Sequence, residues 1–168
     1  RARLGQINQH IVGRSAGAVG HLAADVGELL GHFLGGEAIE HHPAVFLDRG
    51  EQRYNIYCSV CHGYAGYGDG PVNKRAMELM SSSEGPANGT SWVQAKSLHD
   101  PVVREHRLGM LYNVATHGIR NMAGYGTQID LNDRWAIAAY VKALQLSQNA
   151  SMQDVPPELR DNLKKEVK

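Results

Sequence analysis

The chain has 168 residues, which is enough for one domain with a hydrophobic core and additional segments. Its 17 Lys and Arg side chains balance 17 Asp and Glu side chains. A formal charge of zero argues against a nucleic-acid partner, because phosphate binding requires a basic surface. No apolar stretch approaches the roughly 20 residues of a membrane-spanning helix. Because the first residue is Arg1 rather than Met, we expect that a preceding segment has been removed.

The first 44 residues contain eight glycines and no cysteine. Glycine costs about 1 kcal/mol per helical position relative to alanine, so we expect residues 1–44 to form a glycine-rich arm that packs on a partner protein. A short amphipathic helix over Ala18–Phe33 is compatible with this composition. His10, His21 and His32 recur every eleven residues, but side chains three helical turns apart are about 16 Å distant and cannot share a metal ion. We interpret their spacing as coincidental.

Apolar residues at helical spacing predict a helix that begins just after Pro43 and runs into Cys58. Gly50 lies inside this helix, and an interior glycine indicates close approach by another backbone. The expected partner is the second strongly apolar helix, predicted over Leu131–Leu146. Small alanines at 138–139 would allow the two helices to cross closely.

Five consecutive residues carry the strongest chemical signal: Cys58-Ser59-Val60-Cys61-His62. This pattern is typical of c-type haem attachment, in which the two thiols add to the haem vinyl groups and the histidine becomes the proximal iron ligand. The chain has no other cysteine. A thioredoxin-like redox pair would need a βαβ context, and half of a zinc site would need a second ligand pair nearby. We therefore expect one haem c, covalently bound through Cys58 and Cys61.

The segment after the motif, residues 63–71, is rich in glycine, and its backbone is predicted to lie against the cofactor. Pro71, or else Pro86, is expected to offer its carbonyl to the Nδ1–H of His62, which would fix the tautomer and raise the basicity of the ring. Two roles are open for Trp92: its indole either donates to a haem propionate or packs at the rim of the haem.

Further helices are predicted over Val72–Met80 and from Asp100 to about Thr116, with a turn-rich insertion loop at 81–90 between them. Asp100 supplies a good N-cap, and the proline that follows it suits the first turn.

An electron carrier with low-spin haem needs a second strong ligand opposite His62. The candidates are Met77, Met80, Met110, Met122, Met152, His99, His106 and His117. Met122 is the preferred ligand because it lies in a glycine-flanked loop between two predicted helices, and His117 is the next choice. Tyr125 belongs to the same loop and is expected to contact the cofactor.

A helix ending in Cys-x-x-Cys-His, a methionine loop and a closing apolar helix resemble the class I cytochrome c fold over about residues 45–147. More narrowly, residues 49–58 (RGEQRYNIYC) and 133–148 (DRWAIAAYVKALQLSQ) resemble the monohaem cytochrome c subunit of alternative complex III. The resemblance implies an all-α fold around one covalent haem with His62 and Met122 on the iron. It also implies docking on a larger assembly of haems and iron–sulfur clusters, a membrane-bound quinol oxidoreductase that feeds electrons toward terminal oxidases.

We therefore expect three regions: the arm (1–44), a cytochrome c domain (45–148) and a charged C-terminal tail (149–168). The expected function is one-electron transfer as a subunit of a respiratory complex, without substrate chemistry of its own. The expected location is the periplasmic side, peripheral to or anchored at the membrane, because c-type haem is attached outside the cytoplasm. Two alternatives are a freely diffusing carrier and a sensor or enzyme with five-coordinate haem.

Overall fold

The computed structural model describes residues 43–81, 91–148 and 157. The helices within these ranges are α1 (Pro43–Tyr57), α2 (Ser59–His62), α3 (Pro71–Ser81), α4 (Pro101–Arg104), α5 (Leu108–His117) and α6 (Leu131–Ser147). Two short strands, β1 (Gly118–Ile119) and β2 (Met122–Ala123), pair as an antiparallel hairpin. The described part of the chain is thus helical apart from one hairpin and its connecting segments.

The core forms where α6 packs against α1 and α5, and α6 is buried on most of its sides. The buried apolar side chains are Leu47, Tyr54, Leu108, Leu111, Ile129, Trp135, Ala136, Ile137, Ala138, Ala139, Tyr140, Val141 and Leu144. An apolar helix of this kind is stable only when its neighbours cover it, so α6 is the element around which α1 and α5 pack.

Helices α1 and α6 cross in direct backbone contact at Gly50. A Cβ atom built on Gly50 would overlap the carbonyl oxygen of Ala136 and lie 2.9 Å from Cβ of Tyr140. The predicted close crossing is confirmed, but its contact residues are Ala136 and Tyr140 rather than the alanines at 138–139. The tyrosine rings of the two helices also meet, since the centroids of Tyr54 and Tyr140 are 5.3 Å apart.

One carboxylate ties α1 to the first turn of α6. Arg49 binds Asp133 through two parallel hydrogen bonds, with Nε 2.7 Å from Oδ1 and Nη2 2.9 Å from Oδ2. Arg53 places its Nε 2.8 Å from the Oδ2 atom of the same side chain. Asp133 is only 13% exposed, so these ion pairs are less screened by solvent than a typical surface pair.

The segment predicted as one helix from Asp100 to Thr116 is in fact two helices. Asp100 caps α4 as expected, because its Oδ1 accepts from the backbone N of Val102 at 3.0 Å. Helix α4 ends at Arg104, whose carbonyl accepts from Lys142 Nζ on α6 at 2.8 Å. The chain is extended at Arg107 before α5 begins. Bonds from α6 to the end of α4 therefore replace the intrahelical bonds that a continuous helix would need.

The other predicted helices are confirmed to within two residues, since α1 begins at Pro43, α3 spans Pro71–Ser81 and α6 ends at Ser147. The arm and its histidines lie outside the described residues except for the first two residues of α1. The tail also lies outside them except for Pro157, as does nearly all of the predicted loop 81–90. No described helix combines the length and the apolar character that crossing a membrane requires.

Replacing Gly50 by alanine should lower the free energy of unfolding by about 1–3 kcal/mol, because the added methyl overlaps the Ala136 carbonyl and overpacking of this kind is costly. Chemical denaturation of the haem-loaded protein measures this change. The control is Gly109→Ala on α5, where no atom lies within 4 Å of the added Cβ. That variant should gain up to about 1 kcal/mol from helix propensity. A Gly50→Ala protein as stable as the control would contradict the close crossing.

Candidate functional site

The Cys-x-x-Cys-His motif occupies the turn that joins α1 to α2. The backbone N of Cys58 donates to the carbonyl of Tyr54 at 2.8 Å, so Cys58 continues the hydrogen-bond pattern of α1. The backbone N of His62 donates in turn to the carbonyl of Cys58 at 2.9 Å. Both thiols and the imidazole therefore belong to one helical turn, the arrangement that haem attachment requires.

Both thiols favour the protonated state. Burial raises the pKa of Cys58 to about 12, and it also raises the pKa of Cys61. A redox-active Cys-x-x-Cys pair has a lowered thiol pKa, and a thioredoxin-like site also needs βαβ topology, which the described residues lack. A zinc half-site finds no completing ligands in ranges 43–81 and 91–148, where no three His, Cys, Asp or Glu side chains cluster suitably. Neither alternative fits this environment.

The His62 ring is oriented by a backbone carbonyl. Its Nδ1 lies 3.1 Å from the carbonyl oxygen of Lys96. Because a carbonyl only accepts, Nδ1 carries the proton and Nε2 keeps the lone pair that an iron ligand needs. Burial lowers the pKa of His62, which favours the neutral ring that coordinates metals.

The expectation that the carbonyl of Pro71 binds His62 is wrong. Pro71 is the first residue of α3, where a carbonyl is directed along the helix toward its own intrahelical bond. The preceding loop folds against α2, since the backbone N atoms of Gly68 and Gly70 donate to the carbonyls of His62 and Cys61 at 2.8 and 3.1 Å. The alternative acceptor, the carbonyl of Pro86, lies outside the described residues.

Tyr54 fixes the chain where it leaves the motif. Its side chain is fully buried, and its hydroxyl donates to the carbonyl of Gly63 at 2.7 Å. Gly63 follows His62 directly and has φ of 78°, in the left-handed region that glycine adopts without strain. A residue in the last turn of α1 thus holds the backbone next to His62.

Trp92 does not have a free indole N–H for a haem propionate. Its Nε1 donates to the Oδ1 atom of Asn73 at 2.7 Å, and an indole has only this one donor. The propionate interpretation is therefore contradicted, and packing of Trp92 at the haem rim stays a prediction.

Met122 lies in the hairpin rather than in an irregular loop. It is half-buried and pairs with Ile119 across the two strands, and Arg120 at the tip has φ of 53°. The hairpin is held against the end of α5, because the backbone N of Tyr125 donates to the carbonyl of Ala115 at 2.9 Å. The residue is thus presented on a fixed support, and its role as iron ligand stays a prediction.

Tyr125 lies beside the attachment motif. Its ring meets that of Tyr57 edge to face, with centroids 6.1 Å apart. Its hydroxyl pKa is raised by burial and, to a lesser extent, by the charges that Cys58 and Cys61 would carry. The structure therefore packs Tyr125 against Tyr57, the residue before Cys58, and its contact with the cofactor stays a prediction.

The other candidate ligands lie in varied surroundings. Met77, Met110 and His117 are exposed, and Met80 and His106 are half-buried. His99 is engaged elsewhere, because its Nε2 lies 2.6 Å from the carbonyl of Ala65. Met152 lies outside the described residues.

Residues 46–141 match the protein-family model described as cytochrome C oxidase, cbb3-type, subunit III, a family of class I-type cytochrome c domains. The chain belongs to this family. No curated protein matches the chain. The helical structure and this match together establish the all-α class I cytochrome c fold that the sequence predicts.

A cytochrome c domain binds haem c covalently and exchanges electrons with redox partners, and such domains are typically extracytoplasmic. The protonated thiols and the fixed tautomer of His62 fit this cofactor. Cys58 and Cys61 would hold the haem, with His62 Nε2 as the proximal ligand. When bound, the haem supplies one iron that alternates between the ferrous and ferric states.

Two features of the site have no signal in the sequence. The partner of His62 is the backbone of Lys96, 34 positions away, and a carbonyl leaves no trace in residue type. Asn73 is buried and accepts from Trp92, but in the sequence of α3 nothing distinguishes it from the polar residues that follow it. Only the folded chain brings these groups together.

Replacing Tyr54 by phenylalanine should lower the free energy of unfolding by about 1–3 kcal/mol, because it leaves the buried carbonyl of Gly63 without its partner. The matched control is Tyr64→Phe, a change at an exposed tyrosine in the adjoining loop, which should stay within about 0.5 kcal/mol of the native protein. Equal stabilities for the two variants would contradict the role of the Tyr54 hydroxyl.

The pH dependence of unfolding provides a second readout. Burial raises the pKa of the Tyr54 hydroxyl above its ordinary value of 10.0. The unfolded chain therefore ionises at lower pH than the folded chain, and the free energy of unfolding falls as pH rises past about 10. Above that pH the decline should be shallower in Tyr54→Phe by about 1.4 kcal/mol per pH unit.

Proposed function

We propose that this chain transfers single electrons through one haem c, attached at Cys58 and Cys61 and ligated by His62 and Met122. We propose further that it does so as a subunit of a membrane-bound respiratory complex that oxidises quinol, on the periplasmic side. Electrons would then pass toward a terminal oxidase.

The observation that carries the haem assignment is the arrangement of the thiols and the imidazole in the motif. Two half-buried thiols and a histidine with a free Nε2 share one helical turn. The carbonyl of Lys96 supports the proximal role of His62, because a hydrogen bond at Nδ1 orients the ring and strengthens it as a ligand.

Met122 is the proposed sixth ligand because the hairpin presents a half-buried thioether three positions before Tyr125, whose ring meets that of Tyr57 at the start of the attachment motif. A methionine opposite histidine raises the haem potential relative to two histidines. Such a haem accepts electrons from a quinol-side donor and passes them to a high-potential acceptor. With both axial positions filled by protein, no site remains for substrate chemistry.

Replacing Met122 by histidine should lower the midpoint potential by more than about 100 mV, because axial ligands move haem potentials over about 0.8 V in total. Met122→Leu should abolish the sulfur-to-iron absorption band and open the reduced haem to carbon monoxide. Potentiometric titration and optical spectra measure both effects. Met110→Leu is the control, since this exposed methionine on α5 should leave the band and potential unchanged. An intact band in Met122→Leu, or ready binding of carbon monoxide by the native protein, would exclude the proposed ligand.

Membership of a permanent complex is supported by the resemblance of residues 49–58 and 133–148 to the subunit of alternative complex III. The balanced charge gives no long-range steering of the kind that transient carriers often use. We propose that the arm (1–44) and the tail (149–168) flank the cytochrome c domain (45–148), with the arm contacting the larger assembly.

Affinity purification from detergent-solubilised membranes, followed by haem staining and subunit identification, tests this assignment. The expected result is co-purification of a quinol-oxidising assembly that persists at high salt. Recovery with a terminal oxidase would instead assign the chain to the kind of complex that the family description names. Recovery of the chain alone would identify a freely diffusing carrier. Deletion of residues 1–42, which precede α1, is the matched variant and should weaken retention while leaving the haem spectrum unchanged.

A further inference from the structure

The non-helical residues 91–98, called here the connecting segment, link both sides of the proposed haem site. The carbonyl of Lys96 accepts from His62 Nδ1 on the proximal side. The carbonyl of Ser91 accepts from the side chain of Asn121, the neighbour of Met122, at 3.4 Å. The position of this segment therefore bears on the surroundings of both proposed ligands.

One buried side chain on α3 anchors the connecting segment. Asn73 is only 2% exposed. Its Oδ1 accepts from the indole of Trp92 at 2.7 Å and from the backbone N of Ala95 at 3.0 Å. Its Nδ2 donates to the carbonyl of Gly68 at 2.6 Å. One amide thus joins the connecting segment to the loop that follows His62.

The loop and the connecting segment are in close contact at the same place. A Cβ on Gly68, whose φ is 77°, would overlap the carbonyl of Ala95. Ala95 precedes Lys96 directly, so the bond that the backbone N of Ala95 donates to Asn73 fixes the chain one residue before the carbonyl that binds His62. An apolar side chain in place of this buried amide would leave three groups without these hydrogen bonds: the indole N–H of Trp92, the backbone N–H of Ala95 and the carbonyl of Gly68.

We propose that Asn73 is a positioning residue for the haem: by anchoring Ala95 and Trp92, it holds the Lys96 carbonyl on His62 Nδ1 and so sets the midpoint potential. This inference rests on the proposed function of His62 as the proximal ligand. The bond at Nδ1 gives the imidazole partial anionic character, which stabilises ferric iron more than ferrous iron. Loss of the bond should therefore raise the midpoint potential.

The test uses the full-length, haem-loaded protein with Asn73 replaced by leucine, a side chain of similar size without hydrogen-bonding atoms. The equilibrium constant for reduction should rise about tenfold, which corresponds to about 59 mV for a one-electron couple. The exchange of the His62 Nδ1 proton with solvent, followed by NMR in the nitrogen-labelled protein, should become faster by a similar factor. A merely structural residue would not change this exchange rate while the fold is retained.

Three further variants separate positioning from general destabilisation. Asp133→Asn weakens the ion pairs between α1 and α6 and should lower the unfolding temperature without altering the potential or the proton exchange. Asn73→Asp keeps the acceptor for Ala95 and Trp92, so the Nδ1 proton should regain most of its protection. Trp92→Phe removes one donor but leaves Ala95 bonded, so the exchange of the His62 Nδ1 proton should stay slow. If Asn73→Leu does not mature with haem, Asn73→Ser takes its place with the same expected shifts.

Native values of potential and proton exchange in Asn73→Leu, or in its serine replacement, would overturn the proposal. It would also be overturned if Asp133→Asn shifted both readouts equally, or if Trp92→Phe did so, which would move the positioning role to Trp92. Failure of the underlying function is a distinct result, because the native protein would then carry no covalent haem stain. If the native protein carries covalent haem stain but the Asn73 variants keep the native midpoint potential and proton exchange, only this inference fails.

Discussion

The backbone contact between α1 and α6 at Gly50 governs the geometry of the whole domain. Because no side chain separates the helices there, the carbonyl of Ala136 packs directly against α1, and the arginines of α1 reach Asp133 one turn earlier on α6. This crossing fixes the direction in which α1 ends. Since Cys58 continues the hydrogen bonds of α1, the placement of the attachment motif follows from the same contact.

Beyond α1, the site depends on bonds between backbone carbonyls and buried side chains. Tyr54 holds the carbonyl of Gly63, Asn73 holds the connecting segment, and the carbonyl of Lys96 orients His62. Tyr54 and Asn73 are buried, where an unpaired polar atom costs more than it would in water. His62 therefore sits in a network whose members support one another, and the chemistry of its ring depends on residues well outside the motif.

The hairpin that carries Met122 has a different construction. Residues 118–123 form a hairpin that is supported by the end of α5, and the backbone of Tyr125 is bonded to that helix. Tyr125 reaches back toward Tyr57 and the cysteines, so the hairpin and the attachment motif share an aromatic contact.

The sequence by itself determined the attachment motif, the helical class, the crossing at Gly50 and the limits of α3 and α6, because these depend on local spacing and composition. It did not determine the break between α4 and α5, where Lys142 and Gln145 of α6 bind the carbonyls of Arg104 and Val103. Nor could it identify Lys96 as the partner of His62 in place of Pro71, or Asn73 as the partner of Trp92. A carbonyl is present at every residue, so only the tertiary structure decides which one a buried donor finds.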